Sequence, residues 1–302
     1  MNKVTKALVI TGKKDLALEL CAGAGQLAQD VAVVALNSSC AINASRAYVV
    51  DASEASIIQS LPVIKSIVEK EKPQLVVTEL TRDGRLVAAA IAAACRTSVL
   101  TDCTSLAVDA EGKVCAERMS YGGKAVKSEY ALGETAVACV GYGVFAAADE
   151  CAADVVEKAD MELCDNVRLL ESTPKQVQKV NLGAARKVLG VGRGVGDGSR
   201  LGEMEAFAAK LGAEMACTRP VAEEEHLMPK ERYVGVTGCT IKPDLYVAMG
   251  ISGVIQHMAG VNSSGTIIAV NKDKNAPIFK QCDYGIVGDI FEVAKLIEEE
   301  LK

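Results

Sequence analysis

The sequence has no tryptophan, only four phenylalanines and seven tyrosines, and just two histidines, His226 and His257. So few aromatic rings leave little on which nucleic-acid bases could stack. The formal net charge of −6 and a pI near 5.2 are the opposite of a basic nucleic-acid footprint, so no nucleic-acid partner is expected. Two histidines exclude a histidine-rich metal centre. Eleven cysteines are present, yet no two form a CxxC pair, which removes the usual zinc, iron–sulfur and thioredoxin spacings. No metal is expected. Most of the cysteines follow apolar neighbours and read as small hydrophobes, and so many free thiols fit a reducing, cytoplasmic interior. No run approaches the roughly 18 apolar residues that cross a bilayer. The longest clean run is Leu86–Cys95, which reads as a buried helix, so no membrane span is expected. The opening MNKVTKALVITGKK is too briefly apolar for a signal peptide.

What is present is a 302-residue chain, half of it apolar, enough for about two domains. In the first half, strands are expected at KALVIT (6–11), VAVVALN (31–37), AYVVDA (47–52) and PQLVVTEL (73–80). Helices are expected at 15–29, 54–72 and 83–96, the second kinked or divided by Pro62. Strands that alternate with helices imply a parallel α/β sheet. Between 98 and 147 the pattern changes to alternation with Gly-containing turns, the mark of antiparallel hairpins. Residues 149–182 are polar and charged and read as an interdomain connection, with a strand at NVRLLES (166–172). The alternation then restarts. Strands are expected at RKVLGVG (186–192), EMACTRP (214–220), LYVAMGI (245–251), TIIAVNKD (266–273) and YGIVGD (284–289). The helices here are 202–213, closed by Gly212, one opening at Ser252 as N-cap, and a terminal amphipathic helix. The expected fold is therefore α/β: an N-terminal parallel domain with an antiparallel hairpin portion (1–182), then a doubly wound parallel-sheet domain (183–302).

The stretch Gly190-Val191-Gly192-Arg193-Gly194-Val195-Gly196-Asp197-Gly198 invites a dinucleotide fingerprint, but no GxGxxG register survives. Starting at Gly190, Gly192, Gly194 or Gly196, the last glycine is replaced by Val195, Asp197, Ser199 or Leu201. Gly12-Lys13 is followed by Lys14, which rules out a P-loop. Gly250-Ile251-Ser252-Gly253 has Val254 where a hydrolase elbow needs glycine. What remains is a set of features at strand ends, where ligands of open α/β sheets bind. Arg193 and Arg219 offer positive charge. The Val234-Gly235-Val236-Thr237-Gly238 loop offers a hydroxyl between glycines. A helix start at Ser252 offers free N–H groups to an anion, and Asn271 and Asp289 are placed to read a ribose or adenine edge. Together they suit a large anionic nucleotide. A non-redox adenine-nucleotide-binding regulatory module meets that description.

The segments RKVLGVGRG, CTRPVAEEEHLMPKERYVGVTG, PDLYVAMGISGVIQHMAG and IIAVNKDKNAPIFKQCDYGIVGDIFEV closely resemble the C-terminal FAD-binding domain of electron-transfer flavoprotein alpha subunits. The likeness runs from about 183 to 302. The wording VGVGRG and KERYVGVTG is most similar to the branch tied to anaerobic acyl-CoA, carnitine or nitrogen-fixation electron transfer. The resemblance implies that the chain is an electron carrier and not an enzyme. It implies FAD as cofactor, a heterodimer with a beta subunit that meets the N-terminal domain, and acyl-CoA dehydrogenases or reductases as redox partners. Whether the complex bifurcates electrons is left open.

The resemblance also implies roles for individual residues. Arg193 contacts FAD, Arg219 lies against the flavin ring beside Thr218, and Thr237 bonds flavin N5 from the 234–238 loop. Ser252, Gly253, Val254, Ile255, Gln256 and His257 run along the pyrophosphate and flavin, with His257 near the O2 edge, and Asn271 and Asp289 hold adenosine. Arg219, the helix start at Ser252 and, if protonated, His257 are expected to favour negative charge on the flavin, and the glycines around Arg193 to give the cofactor clearance. Two positions depart from the family: Val236 replaces a glutamine and Val191 a glycine. Val195–Gly198 reads as a lead into the next helix.

Overall fold

The computed structural model describes residues 2–36, 44–51, 57–121, 123–149, 153–159, 167, 169–171, 173 and 181–301. Residues 1–120 and 126–175 form one compact unit; residues 121–125 and 176–302 form a second.

In the first unit the β-branched runs become β1 (Val4–Thr11), β2 (Ala28–Leu36), β3 (Arg46–Val50) and β4 (Leu75–Glu79). They join β5 (Val99–Val108), β6 (Val114–Ser120), β7 (Ala125–Tyr130), β8 (Ala136–Val140) and β9 (Val155–Lys158) in one sheet ordered β7-β6-β5-β8-β4-β1-β2-β3-β9. Every pairing from β9 across to β5 is parallel. The β5–β6 hairpin is antiparallel, as the turn-rich sequence predicts. Helix α1 (Lys14–Leu27) packs on one face, and α2 (Ile57–Glu71) and α3 (Arg82–Ala94) on the other. Covering both faces is why the central strands are apolar without alternation. The α3 start is fixed by Thr81, whose hydroxyl accepts from Gly84 N at 3.0 Å.

Two expectations meet a different outcome in this unit: the helix is not divided at Pro62, and the described residues of 166–172 form no strand. Pro62 sits inside α2, which continues unbroken from Ile57 to Glu71. The proline removes one N–H from the ladder, but Val63, Ile64, Ile67 and Val68 bury against the sheet and keep the helix in one piece. The earlier part of the expected helix, 54–56, lies outside the described residues. In NVRLLES, the described residues Val167, Leu169, Leu170 and Glu171 form no strand, and the others lie outside the described residues. The strand hidden in the connection is β9. It extends the sheet edge by parallel pairing with β3, with Arg46 opposite Val155.

The second unit is a five-stranded, all-parallel sheet of β10 (Lys187–Val191), β11 (Glu214–Cys217), β12 (Leu245–Met249), β13 (Thr266–Asn271) and β14 (Tyr284–Val287), ordered β11-β10-β12-β13-β14. Helices α4 (Leu201–Leu211) and α6 (Ile290–Glu300) cover one face. The other face buries Ile241, Ile251, Met258 and Ile278 from loops and from the one-turn helix α5 (Ile255–Met258). Gly212, at φ +63, closes α4 in the left-handed conformation expected of it. The succession of strands reverses between β10 and β12. In an open parallel sheet that reversal leaves a crevice beyond the carboxyl ends of those two strands. The strand expected at 214–220 stops at Cys217. Pro220, which has no N–H to give a ladder, instead opens a short helical turn, Pro220–Glu224.

Candidate functional site: a crevice at the strand reversal

A cavity of about 750 Å³ lies in that crevice. Each wall comes from the end of a strand: Gly192 and Arg193 after β10, Thr218 to Pro220 after β11, Gly250 to Ser252 after β12, and Asn271 at the end of β13. The loop carrying Tyr233, Val234, Val236 and Thr237 and the turn carrying Val254, Gln256 and His257 complete it. Of the residues anticipated from sequence, Arg193, Thr218, Arg219, Val234, Val236, Thr237, Ser252, Val254, Gln256, His257 and Asn271 line the cavity. Gly235, Gly238, Gly253, Ile255 and Asp289 are not among the lining residues. Glu223, Glu224 and Tyr233 line it and were not anticipated.

The glycines also have a reason within the fold itself. A Cβ on Gly192 would overlap the Gly250 carbonyl, and one on Gly194 would lie 2.5 Å from the Gly250 Cα. The loops after β10 and β12 therefore pack backbone against backbone, joined by Gly192 N to Met249 O at 2.9 Å and Gly194 N to Gly250 O at 3.2 Å. Gly250 itself takes φ +67. The glycines serve the approach of two loops to each other, and that approach sets the cavity floor. Val195 is no loose lead either: it is buried in the α4-side core.

The charges are arranged unequally. Arg193 is exposed and forms no ion pair among the described residues. Arg219 is engaged by Glu223, with Nε to Oε2 at 2.6 Å, and Lys230 stands 3.5 Å from the same carboxylate. The hydrogen bond from Arg219 holds the Glu223 carboxyl below its ordinary range.

The expected helix start at Ser252 is absent. Gly253 takes φ +82, and α5 begins only after Val254, with no side-chain cap. Ser252 stands in an irregular segment whose carbonyl accepts from Ile278 N at 3.0 Å. A single turn after a left-handed residue has little dipole to offer, so Ser252 brings no helix-end charge.

His257 is likewise not the cation expected. It is 4 % exposed. Its Nδ1 lies 3.1 Å from the Val234 carbonyl and its Nε2 lies 2.8 Å from the Tyr246 hydroxyl. A carbonyl only accepts, so Nδ1 carries the proton and Nε2 accepts from Tyr246. Burial pulls the imidazole pKa down to about 4, and the ring is neutral at pH 7.

Asn271 has both ends of its amide committed, donating to Ile251 O and accepting from Asp273 N, each at 2.9 Å. It ties the β12 loop to the end of β13. Asp289 caps α6, accepting from Phe291 N at 2.9 Å and Glu292 N at 3.2 Å, and pairs with Lys272 at 2.8 Å. The hydrogen bond from Lys272 holds its carboxyl below the usual range. Thr237 shares a hydrogen bond with the Tyr233 hydroxyl.

Residues 181–262 match the family model described as "Electron transfer flavoprotein FAD-binding domain", and residues 8–165 match "Electron transfer flavoprotein domain". The chain belongs to the electron-transfer flavoprotein alpha-subunit family. Relatives include "Protein FixB" of Escherichia coli O7:K1 (strain IAI39 / ExPEC) and of Escherichia coli (strain K12 / DH10B). Each is 42 % identical over 222 residues, which cover 72 % of this chain and 71 % of the relative. The family accounts for both sheets, for FAD as the cofactor and for electron transfer, not substrate turnover, as the role. Every lining residue except Asn271 falls within the FAD-binding match. Among the described residues no helix is long and apolar enough to cross a membrane.

Proposed function

We propose that the chain is the FAD-carrying alpha subunit of a heterodimer and that FAD occupies the 750 Å³ crevice. The observation that carries this reading is the coincidence of the FAD-binding match with a cavity at the strand reversal, walled by two arginines. When bound, FAD takes electrons from one protein and passes them to another. The chain's own residues position and tune it. Arg193, with no counter-ion among the described residues, supplies the positive charge that an anionic cofactor needs. Arg219 adds a guanidinium already balanced by Glu223. Thr218, Thr237 and Ser252 offer hydroxyls, and Val234, Val236, Val254 and Gln256 would line the cofactor's site beside them. Asn271 braces the floor, and Asp289 caps α6 and pairs with Lys272. His257 contributes as a neutral, buried wall.

The partner is a beta subunit, met through the N-terminal unit. Val126 and Tyr130 on β7 and Leu132 just after it are all more than half exposed, an apolar strip that supports a protein partner there. The chain's redox partners are acyl-CoA-type dehydrogenases or reductases. Co-purification with the beta subunit and a count of flavin per alpha chain tests the proposal. One FAD per chain, bound at least tenfold more weakly when Arg193 is reversed to glutamate, is expected. A colourless complex that binds an adenine nucleotide instead contradicts it and favours a regulatory module.

A further inference from the structure

Tyr246 is fully buried in β12, and so is the hydroxyl at its tip. A buried hydroxyl needs a partner, and this one has His257 Nε2 at 2.8 Å. Where only volume mattered, phenylalanine would serve without the desolvation cost. The fold makes room for the hydroxyl in particular. Beside it in β10 is Gly190, where a Cβ would overlap the Tyr246 oxygen. Glycine weakens a strand interior, so its presence in a buried central strand marks a close approach that the structure depends on.

Tyr246 does not line the cavity, but His257 does. The other ring nitrogen of His257 holds the Val234 carbonyl at 3.1 Å. A second bond, Val236 N to Gln256 O at 2.8 Å, ties the same loop to the same turn. A chain of hydrogen bonds therefore runs from β12 through α5 to the loop that carries Val236 and Thr237. We propose that Tyr246 is a positioning residue of the flavin site. Its hydroxyl donates to His257 Nε2 and anchors the ring, and the Nδ1–H that the Val234 carbonyl selects holds the 234–238 loop against the cavity. The inference rests on the reading of the crevice as the FAD site.

Both polar partners of the ring are neutral. Cys217, the ionisable group beside Tyr246, has its thiol pushed up to about 12 by burial. The charged groups of the cavity wall are Arg193, Arg219, Glu223 and Glu224, and none of them is a hydrogen-bond partner of the imidazole.

The test uses the full chain with its beta subunit. The chain holds only two histidines, so labelling it alone with ¹⁵N-histidine separates His257 from His226. In the wild type without cofactor, His257 is expected to show a protonated Nδ1 and an unprotonated Nε2, unchanged between pH 5 and 8. In Tyr246→Phe the Nε2 resonance moves downfield as that nitrogen loses its donor, and the FAD dissociation constant rises about tenfold. A wild-type His257 that carries its proton on Nε2, or titrates between pH 5 and 8, overturns the inference without any variant. A Tyr246→Phe protein with an unchanged Nε2 resonance, or with unchanged FAD affinity, overturns it as well. The tautomer readout needs no cofactor. A wild type that shows the expected tautomer and takes up no FAD therefore locates the failure in the flavin reading, and the positioning role falls with it.

Discussion

Arg219 Nε donates to Glu223 Oε2 at 2.6 Å, so one of the two guanidiniums on the cavity wall carries its counter-charge beside it. Removing either partner shifts the local charge in opposite directions. Arg219→Ala is expected to lower the one-electron potential of bound flavin, and Glu223→Gln to raise it. Each shift is on the order of 60 mV, the equivalent of a tenfold change in a one-electron equilibrium. Potentiometric photoreduction of the two variants measures both. Shifts of the same sign in both variants contradict the charge argument.

The neutral, buried His257 links stability to pH. Its folded pKa, about 4, lies below the ordinary 6.5. Between those values the unfolded chain binds the proton more readily than the folded one, so stability rises with pH through this window. The contribution is complete above about pH 6.5 and is lost as pH falls towards 4. The full loss is about 3 kcal/mol, from roughly 1.4 kcal/mol per pKa unit. Urea unfolding from pH 7 to pH 4, with His257→Gln as comparison, reads it. The variant is expected to show a flatter profile, and an equally steep one removes His257 as the cause.

Gly192 and Gly25 make a contrasting pair. A Cβ at Gly192 meets the Gly250 carbonyl, while at Gly25 in α1 it meets nothing within 4 Å. Gly192→Ala is expected to cost about 1–3 kcal/mol by overpacking and to weaken FAD binding through the displaced β12 loop. Gly25→Ala is expected to stabilise by about 0.5–1 kcal/mol through helix propensity, with FAD affinity unchanged. Denaturant midpoints and FAD titration of both proteins check this.

Asp289 does two local jobs that substitutions separate. Asp289→Ala removes the cap of α6 and is expected to cost about 1 kcal/mol, while Asp289→Asn keeps the cap and loses only the Lys272 pair. Thermal unfolding of the pair distinguishes them. Equal destabilisation of both would mean that charge, and not capping, is what matters at that helix end.

The strands were legible because buried parallel strands are written as unbroken β-branched runs, as in KALVIT and LYVAMGI. β9 was not, because Val155–Lys158 is a short, largely exposed edge strand whose partner, β3, is distant in sequence. At the site, the arginines and the Thr237 loop announce themselves by type and by position at strand ends. The purpose of the glycines does not. Whether a glycine faces a ligand, a tyrosine hydroxyl or another loop depends on what the fold sets opposite it, and Gly190 and Gly192 differ in that respect. Ser252 read as an N-cap because serine precedes an apolar turn, but the left-handed Gly253 delays the helix. His257 read as a possible cation because the burial that keeps it neutral is not written in its local sequence and comes only from what the fold packs around it.

The claim that FAD sits in the crevice between the β10 and β12 loops is tested most directly by equilibrium FAD titration of the cofactor-stripped heterodimer, wild type against Arg193→Glu. The expected result is one FAD per alpha chain, with binding weakened at least tenfold by the charge reversal at the unpaired arginine. Equal affinity in the two proteins would place the cofactor elsewhere and contradict the account.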